Sequence, residues 1–117
     1  MDLAISNQLD NIASIKDKLQ YLNQKEIVVP LTYKLSQNYP NPFNPTTKIN
    51  FSIPKDGKVV LKIYDVSGKE VYTLVNEFKQ AGNYNAIFNG SNLSSGVYFY
   101  RLNAGDFVES RRMILLK

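Results

Sequence analysis

The 117-residue sequence contains no cysteine and no histidine. Disulfide frameworks, thiol nucleophiles, thiolate or imidazole zinc sites and the Ser-His-Asp class of catalyst are therefore excluded by absence. The missing cysteines leave the compartment open, because a secreted domain with a large enough core needs no disulfides. No run of 18 apolar residues occurs, and the opening MDLAISNQLDNIAS has neither the basic start nor the apolar block of a secretory leader. Either the protein is cytoplasmic or this is a piece of a longer one; the expectation adopted is a fragment with Met1 added. The carboxylates are dispersed over different turns, no Gly-rich phosphate loop is present and no serine has a visible base. The expectation is a protein without cofactor or metal that is not an enzyme.

What is present is enough apolar material, 44% of residues, for one real core. The charge is unevenly spread. Residues 1 to 33 carry three basic and four acidic groups and residues 34 to 117 carry eleven and six, which makes the second part the basic one at +5. Its lysines are scattered singly through turns and strand faces instead of forming a stripe, so a solvated surface is expected and no nucleic-acid partner.

Residues 1 to 24 hold an amphipathic pattern. Ile5, Leu9, Ile12, Ile15, Leu19 and Leu22 recur at steps of three and four without Gly or Pro between them, which predicts a helix. With Ile5, Ile12 and Leu19 at a, and Gln8, Ile15 and Leu22 at d, the stripe fits a coiled-coil seam of about three heptads, and its Ile and Leu mixture leans to a trimer. Packing of the same stripe on the chain's own β part is the alternative, since so short a helix is marginal alone. Residues 25 to 37 read as a linker with an extended tail. From Lys48 the period becomes two, and strands are expected through KINFSI, KVVLKI, VYTLVNEF, YNAIFN, VYFYRL and FVESRRMILL, with a possible seventh through TYKLSQ (32 to 37). Connections this short exclude a parallel sheet. The expected fold is all-β, an antiparallel immunoglobulin-like sandwich of about seven strands occupying residues 38 to 117 behind the helix.

Between linker and first long strand stands NYPNPFNPTT (38 to 47), with three prolines and three asparagines in ten positions. Tyr39, Asn41 and Asn44 each precede a proline and are pushed toward extended backbone. Pro40, Pro42 and Pro45 donate no N–H, so the segment cannot lie inside a sheet. A stiff strap is expected, anchored by Tyr39 and Phe43, with Asn side chains satisfying local backbone. On physics alone it is a rigid corner protecting an edge strand.

YPNPFNPTT, IYDVSGKEV (63 to 71), NLSSGVYFYRL (92 to 102) and SRRMILLK (110 to 117), taken in that order, resemble the type A C-terminal sorting domain of the type IX secretion system. The resemblance covers about residues 35 to 117. It places the family's Pro-Asn-Pro at Pro40, Asn41 and Pro42, its Asp-x-x-Gly hairpin at Asp65 and Gly68, and its Leu-x-x-Gly-x-Tyr element at Leu93, Gly96 and Tyr98. The terminal basic-then-aliphatic strand falls on Arg112, Met113, Ile114, Leu115, Leu116 and Lys117. Such domains are C-terminal sandwich modules that direct cargo from the periplasm of a Gram-negative bacterium through an outer-membrane translocon. The resemblance implies as partners the type IX translocon with its outer-membrane shuttle and a surface cysteine peptidase that removes the domain. Cargo would be secreted or kept at the cell surface, and residues 1 to 33 would be the end of the cargo and the linker.

The same residues admit plainer readings. Tyr98, just inside a strand, resembles a tyrosine corner whose hydroxyl returns to upstream backbone. Asp65, Ser67 and Glu70 could suggest a calcium loop, but calcium takes six or more oxygens, and a self-bonded hairpin is the better fit. Three Asn-x-Ser triplets, at Asn50, Asn89 and Asn92, carry no inference. The alternative function is structural: an immunoglobulin-like spacer, an adhesion module, or a cap on a coiled-coil fibre. A strand running to Lys117 is the arrangement that the sorting reading expects.

Overall fold

The computed structural model describes residues 29 to 117. The predicted helix, with Ile5, Ile12, Ile15, Leu19 and Leu22, lies outside the described residues. The described part is built from seven strands: β1 (Lys34–Leu35), β2 (Thr46–Ile53), β3 (Gly57–Tyr64), β4 (Glu70–Lys79), β5 (Gly82–Asn89), β6 (Gly96–Ala104) and β7 (Phe107–Leu115). They form one sheet ordered β1-β2-β5 and a second ordered β4-β3-β6-β7, and every pairing is antiparallel.

Alternation in the sequence decides which faces meet. Thr47, Ile49, Phe51 and Ile53 point inward from β2, while Lys48 and Asn50 face water. Val59, Leu61 and Ile63 do the same from β3, Tyr98, Tyr100 and Leu102 from β6, and Met113 and Leu115 from β7. These side chains, with Leu35, Phe43 and Phe88, make one continuous core between the sheets. Loss of water contact over this apolar surface is the main favourable term in folding.

Four edge strands result, and most are blunted. Along β3 and β4 the register shifts between Leu61 and Lys62 and again between Ile63 and Tyr64, which breaks the regular ladder behind edge strand β4. Strand β1 is only two residues long. The C-terminal half of β7 is covered by the proline strap.

The segment read as linker, 25 to 37, contributes at its end a strand of the sandwich. Lys34 and Leu35 pair with Ser52 and Phe51, Leu35 is buried, and Arg111 Nε donates to Leu35 O at 2.6 Å. One residue earlier, the Tyr33 ring stacks on Phe107 with centroids 5.1 Å apart. A fragment comprising 38 to 117 is therefore expected to be less stable than 33 to 117 by about 3–5 kcal/mol, the usual cost of emptying a buried leucine site plus lost hydrogen bonds. Urea midpoints of the two fragments, compared at equal slope, check this; equal midpoints would place the start of the folded unit at 38.

Candidate functional site

The strap begins with Asn38, whose side chain satisfies local backbone at Pro40 O, as expected of the strap's asparagines. Asn38 is buried, its N–H donates to the Tyr100 hydroxyl at 2.8 Å, and that hydroxyl donates to Ser36 O at 2.6 Å. The Asn38 amide donates to Pro40 O and to Thr47 Oγ1, and Thr47 Oγ1 also donates to Pro40 O at 2.8 Å. Asn38, Thr47 and Tyr100 are buried, and without these partners their polar atoms would each cost roughly 1–3 kcal/mol. Burial pushes the Tyr100 hydroxyl up to about 12, against the opposing effects of the Asn38 N–H and the nearby Arg111 charge. The phenol therefore stays a neutral donor at any physiological pH.

From there the strap crosses from one sheet to the other. Tyr39 exchanges two backbone hydrogen bonds with Lys48 of β2, both 2.9 Å long. Phe43 N donates to Ile114 O and Leu116 N donates to Phe43 O, a parallel bridge with the end of β7. Asn41 Oδ1 accepts from Ile114 N at 3.0 Å, and Gln37 Nε2 donates to Arg112 O at 2.7 Å. The bonds preceding Pro40, Pro42 and Pro45 are cis. Of the two expected anchors only one holds by its side chain: Phe43 is buried, whereas Tyr39 is 79% exposed and is fixed by its backbone alone. The Asn41 side chain likewise serves a distant strand and not its own turn.

Asp65 caps the β3–β4 hairpin. Its Oδ1 accepts from Ser67 N, Ser67 Oγ and Lys69 N, and the turn closes through Gly68 N to Asp65 O at 3.0 Å. Gly68 has φ +85°, a left-handed conformation that favours glycine. The oxygen is thus spent on its own backbone, as a hairpin requires, and no cluster suited to a metal ion is found among the described residues. The Ser67 hydroxyl, followed by the Lys69 N–H, holds the Asp65 carboxyl below its ordinary value of 3.8. A depressed folded-state value means stabilisation that is complete above the unfolded value and lost as pH falls through the folded one. Asp65→Asn is therefore expected to lower the melting temperature at pH 6 and to flatten its fall below pH 4; parallel melting curves of variant and parent from pH 6 to 2 would contradict this.

At the start of β6, Leu93 N closes a turn onto Gly90 O, and the Leu93 side chain packs against the core. Tyr98 is buried and its hydroxyl donates to Ser94 O at 2.7 Å, the upstream return expected of a tyrosine corner. A Cβ on Gly90 would come 3.1 Å from Leu115 Cδ2 and 3.3 Å from Phe43 Cε2, so this loop, the strap and the last strand meet in one tight contact. On β7, Met113 and Leu115 are core, Ile114 is half-buried, and Arg112, Leu116 and Lys117 are exposed. Lys117 N donates to Ser95 Oγ and Lys117 Nζ to Ser91 O.

Register puts these scattered segments at one end of the molecule. Gly96 lies opposite Leu115, Phe43 bridges Leu115, and Tyr64, just before Asp65, lies opposite Phe99, which lies opposite Arg112. Tyr33 and the turn at 54–57 lie at the other end, since Lys34 pairs with Ser52. A model of the secretion system C-terminal sorting domain family matches residues 37–116. The chain belongs to this family. No curated protein matches the chain. As a type IX sorting domain, residues 37–116 serve as a C-terminal signal for export out of the cell by that secretion machinery. The sorting domain holds no helix long and apolar enough to cross a membrane among its described residues.

Asn38, Thr47, Tyr100 and Gln37 tie the sorting domain's strap to its two sheets, and sequence reasoning singled out none of the last three. Only Tyr100 carried a signal: it shares the inward phase of Tyr98 in VYFYRL, and a buried phenol needs a partner.

Proposed function

We propose that the sandwich is an address carried at the end of a cargo protein, presented to the type IX translocon and its outer-membrane shuttle by the end of the fold remote from the cargo. The observation that carries this is the gathering of all four motif segments at the end opposite Tyr33, where the preceding chain enters. Strands of eight residues separate the two ends by roughly 25 Å at 3.3 Å per residue. Cargo attached before Tyr33 is thereby kept away from the surface to be read. In this reading a surface cysteine peptidase then cuts ahead of the sandwich, and the cargo is released or attached to the cell surface. The domain contributes recognition and no catalytic step. Self-association through Ile5, Ile12, Ile15, Leu19 and Leu22 is a separate proposal, belonging to the cargo side and not to the address.

The test is fusion of residues 33 to 117 behind a reporter with its own secretory leader, in a host with a type IX system. The reporter is expected outside the cell, and the same reporter without the domain in the periplasm. Equal periplasmic retention of both would favour the spacer reading.

A further inference from the structure

The outer face of the four-stranded sheet presents cations in a pattern that a purely structural sheet avoids. Register places Lys62 directly opposite Arg101, and Arg101 opposite Ser110; the next row runs Tyr64, Phe99, Arg112. Like charges directly opposite one another destabilise a sheet. Lys62 is relieved by Glu70 at 2.8 Å, which is the only carboxylate projecting from these strands on this face. Arg101 is not relieved in that way: its guanidinium lies 5.2 Å from the Tyr64 ring centroid and its Nε donates to Ser110 Oγ at 3.2 Å, with no carboxylate paired to it among the described residues. Arg112 has none either.

Beside Arg101 the face is indented. A cleft of about 270 Å³ is walled by Tyr64, Phe99, Val66 and Gly68, with Arg101 and Ser110 on its side and Asp65 at its hairpin end. Asp65 forms no ion pair with the arginine, and its Oδ1 accepts from the Ser67 and Lys69 N–H groups. Apolar walls with an oriented guanidinium make a site for a carboxylate attached to an apolar neighbour, because the planar fork of arginine matches a carboxylate and stacks on aromatic rings.

We infer that this face, centred on Arg101 with Arg112, Tyr64 and Phe99, docks an acidic segment of a protein partner in which carboxylates alternate with apolar side chains. The inference rests on the sorting reading and gives the transport machinery's contact its chemistry. The cations are interleaved with aromatic rings within a sheet, and one stands at a cleft of side-chain size. That favours an acidic peptide over a diffuse anionic lipid surface.

The test uses the isotope-labelled full chain with the probe acetyl-Glu-Phe-Glu-Val-Glu-amide and its Gln-for-Glu counterpart. Shifts are expected at the amides of Tyr64, Phe99, Arg101 and Ser110 with the Glu peptide, at least tenfold weaker binding of the Gln peptide, and loss of binding in Arg101→Gln. The Arg101→Gln variant is expected to melt no lower than the parent, because the substitution removes the opposed charge pair. Equal binding of both peptides, shifts centred elsewhere, stronger binding to phosphatidylglycerol vesicles than to the Glu peptide, or a markedly lower melting temperature in the variant would each overturn the inference. The reporter fusion separates it from the sorting reading. Export by the parent domain with at least fivefold loss in Arg101→Gln supports both, and equal export by the two overturns only the docking face. Failure of the parent itself overturns the sorting reading, and peptide binding then decides the face alone.

Discussion

Phe43→Ala is expected to lower the unfolding free energy by about 3–5 kcal/mol, the range for truncating a fully buried aromatic, and to free the strap from β7 before the rest of the sandwich opens. Phe43 is 2% exposed, meets Phe88 edge to face with centroids 6.1 Å apart, and has its backbone bonded to Ile114 and Leu116. Removing the ring leaves a cavity between the two sheets and weakens the only parallel bridge among the described residues, so amide protection should fall first at Phe43 and Leu116. Tyr39→Ala is the control. Its side chain projects into water while its backbone keeps both bonds to Lys48, and a change within about 0.5 kcal/mol is expected. Urea denaturation gives the two energies and hydrogen exchange the location. Equal costs for the two substitutions would mean that the strap is held by its backbone and not by the Phe43 plug.

These contrasts show what could be read from the sequence. The strands were legible because period-two alternation and the turn residues between runs agree, as in KINFSI and KVVLKI followed by DVSG. The strap's stiffness was legible from its prolines. Its path was not, because the bonds that tie it to the four-stranded sheet join residues 62 to 75 positions apart: Asn38 to Tyr100, Asn41 to Ile114, Gln37 to Arg112. No local pattern encodes such pairs. Tyr39 and Phe43 look alike in the string, and only the arrival of Gly90 and Leu115 beside one of them decides which ring is buried. Likewise, the four motif segments were recognisable one by one, while their meeting at one end follows from the antiparallel order of β3, β6 and β7.

Removal of Leu116 and Lys117 is expected to reduce export of a fused reporter at least tenfold while leaving the sandwich folded. Addition of a partner's strand would need a free edge at the end of β7. In the structure that edge is already taken: Ile114 N bonds to the Asn41 side chain, and Ile114 O and Leu116 N bond to Phe43. What remains accessible there is side chain, with Leu116 60% exposed beside the strap. The two residues hold this corner together. Leu116 N fastens the strap, Lys117 N bonds Ser95 Oγ, and Lys117 Nζ bonds Ser91 O, so strap, β6 approach and last strand are kept in one surface. Three surface hydrogen bonds at about 0.5–1 kcal/mol each put the stability cost at roughly 1–3 kcal/mol, less than a domain of ordinary stability loses on unfolding. The matching control is Leu35→Val, which costs about 1–2 kcal/mol in the core at the opposite end and disturbs none of the motif segments. Extracellular reporter level and melting temperature are measured for both. If export depends only on the fold, the two variants should lose it alike. If the corner is what the machinery reads, the truncated domain should fail while Leu35→Val is exported normally.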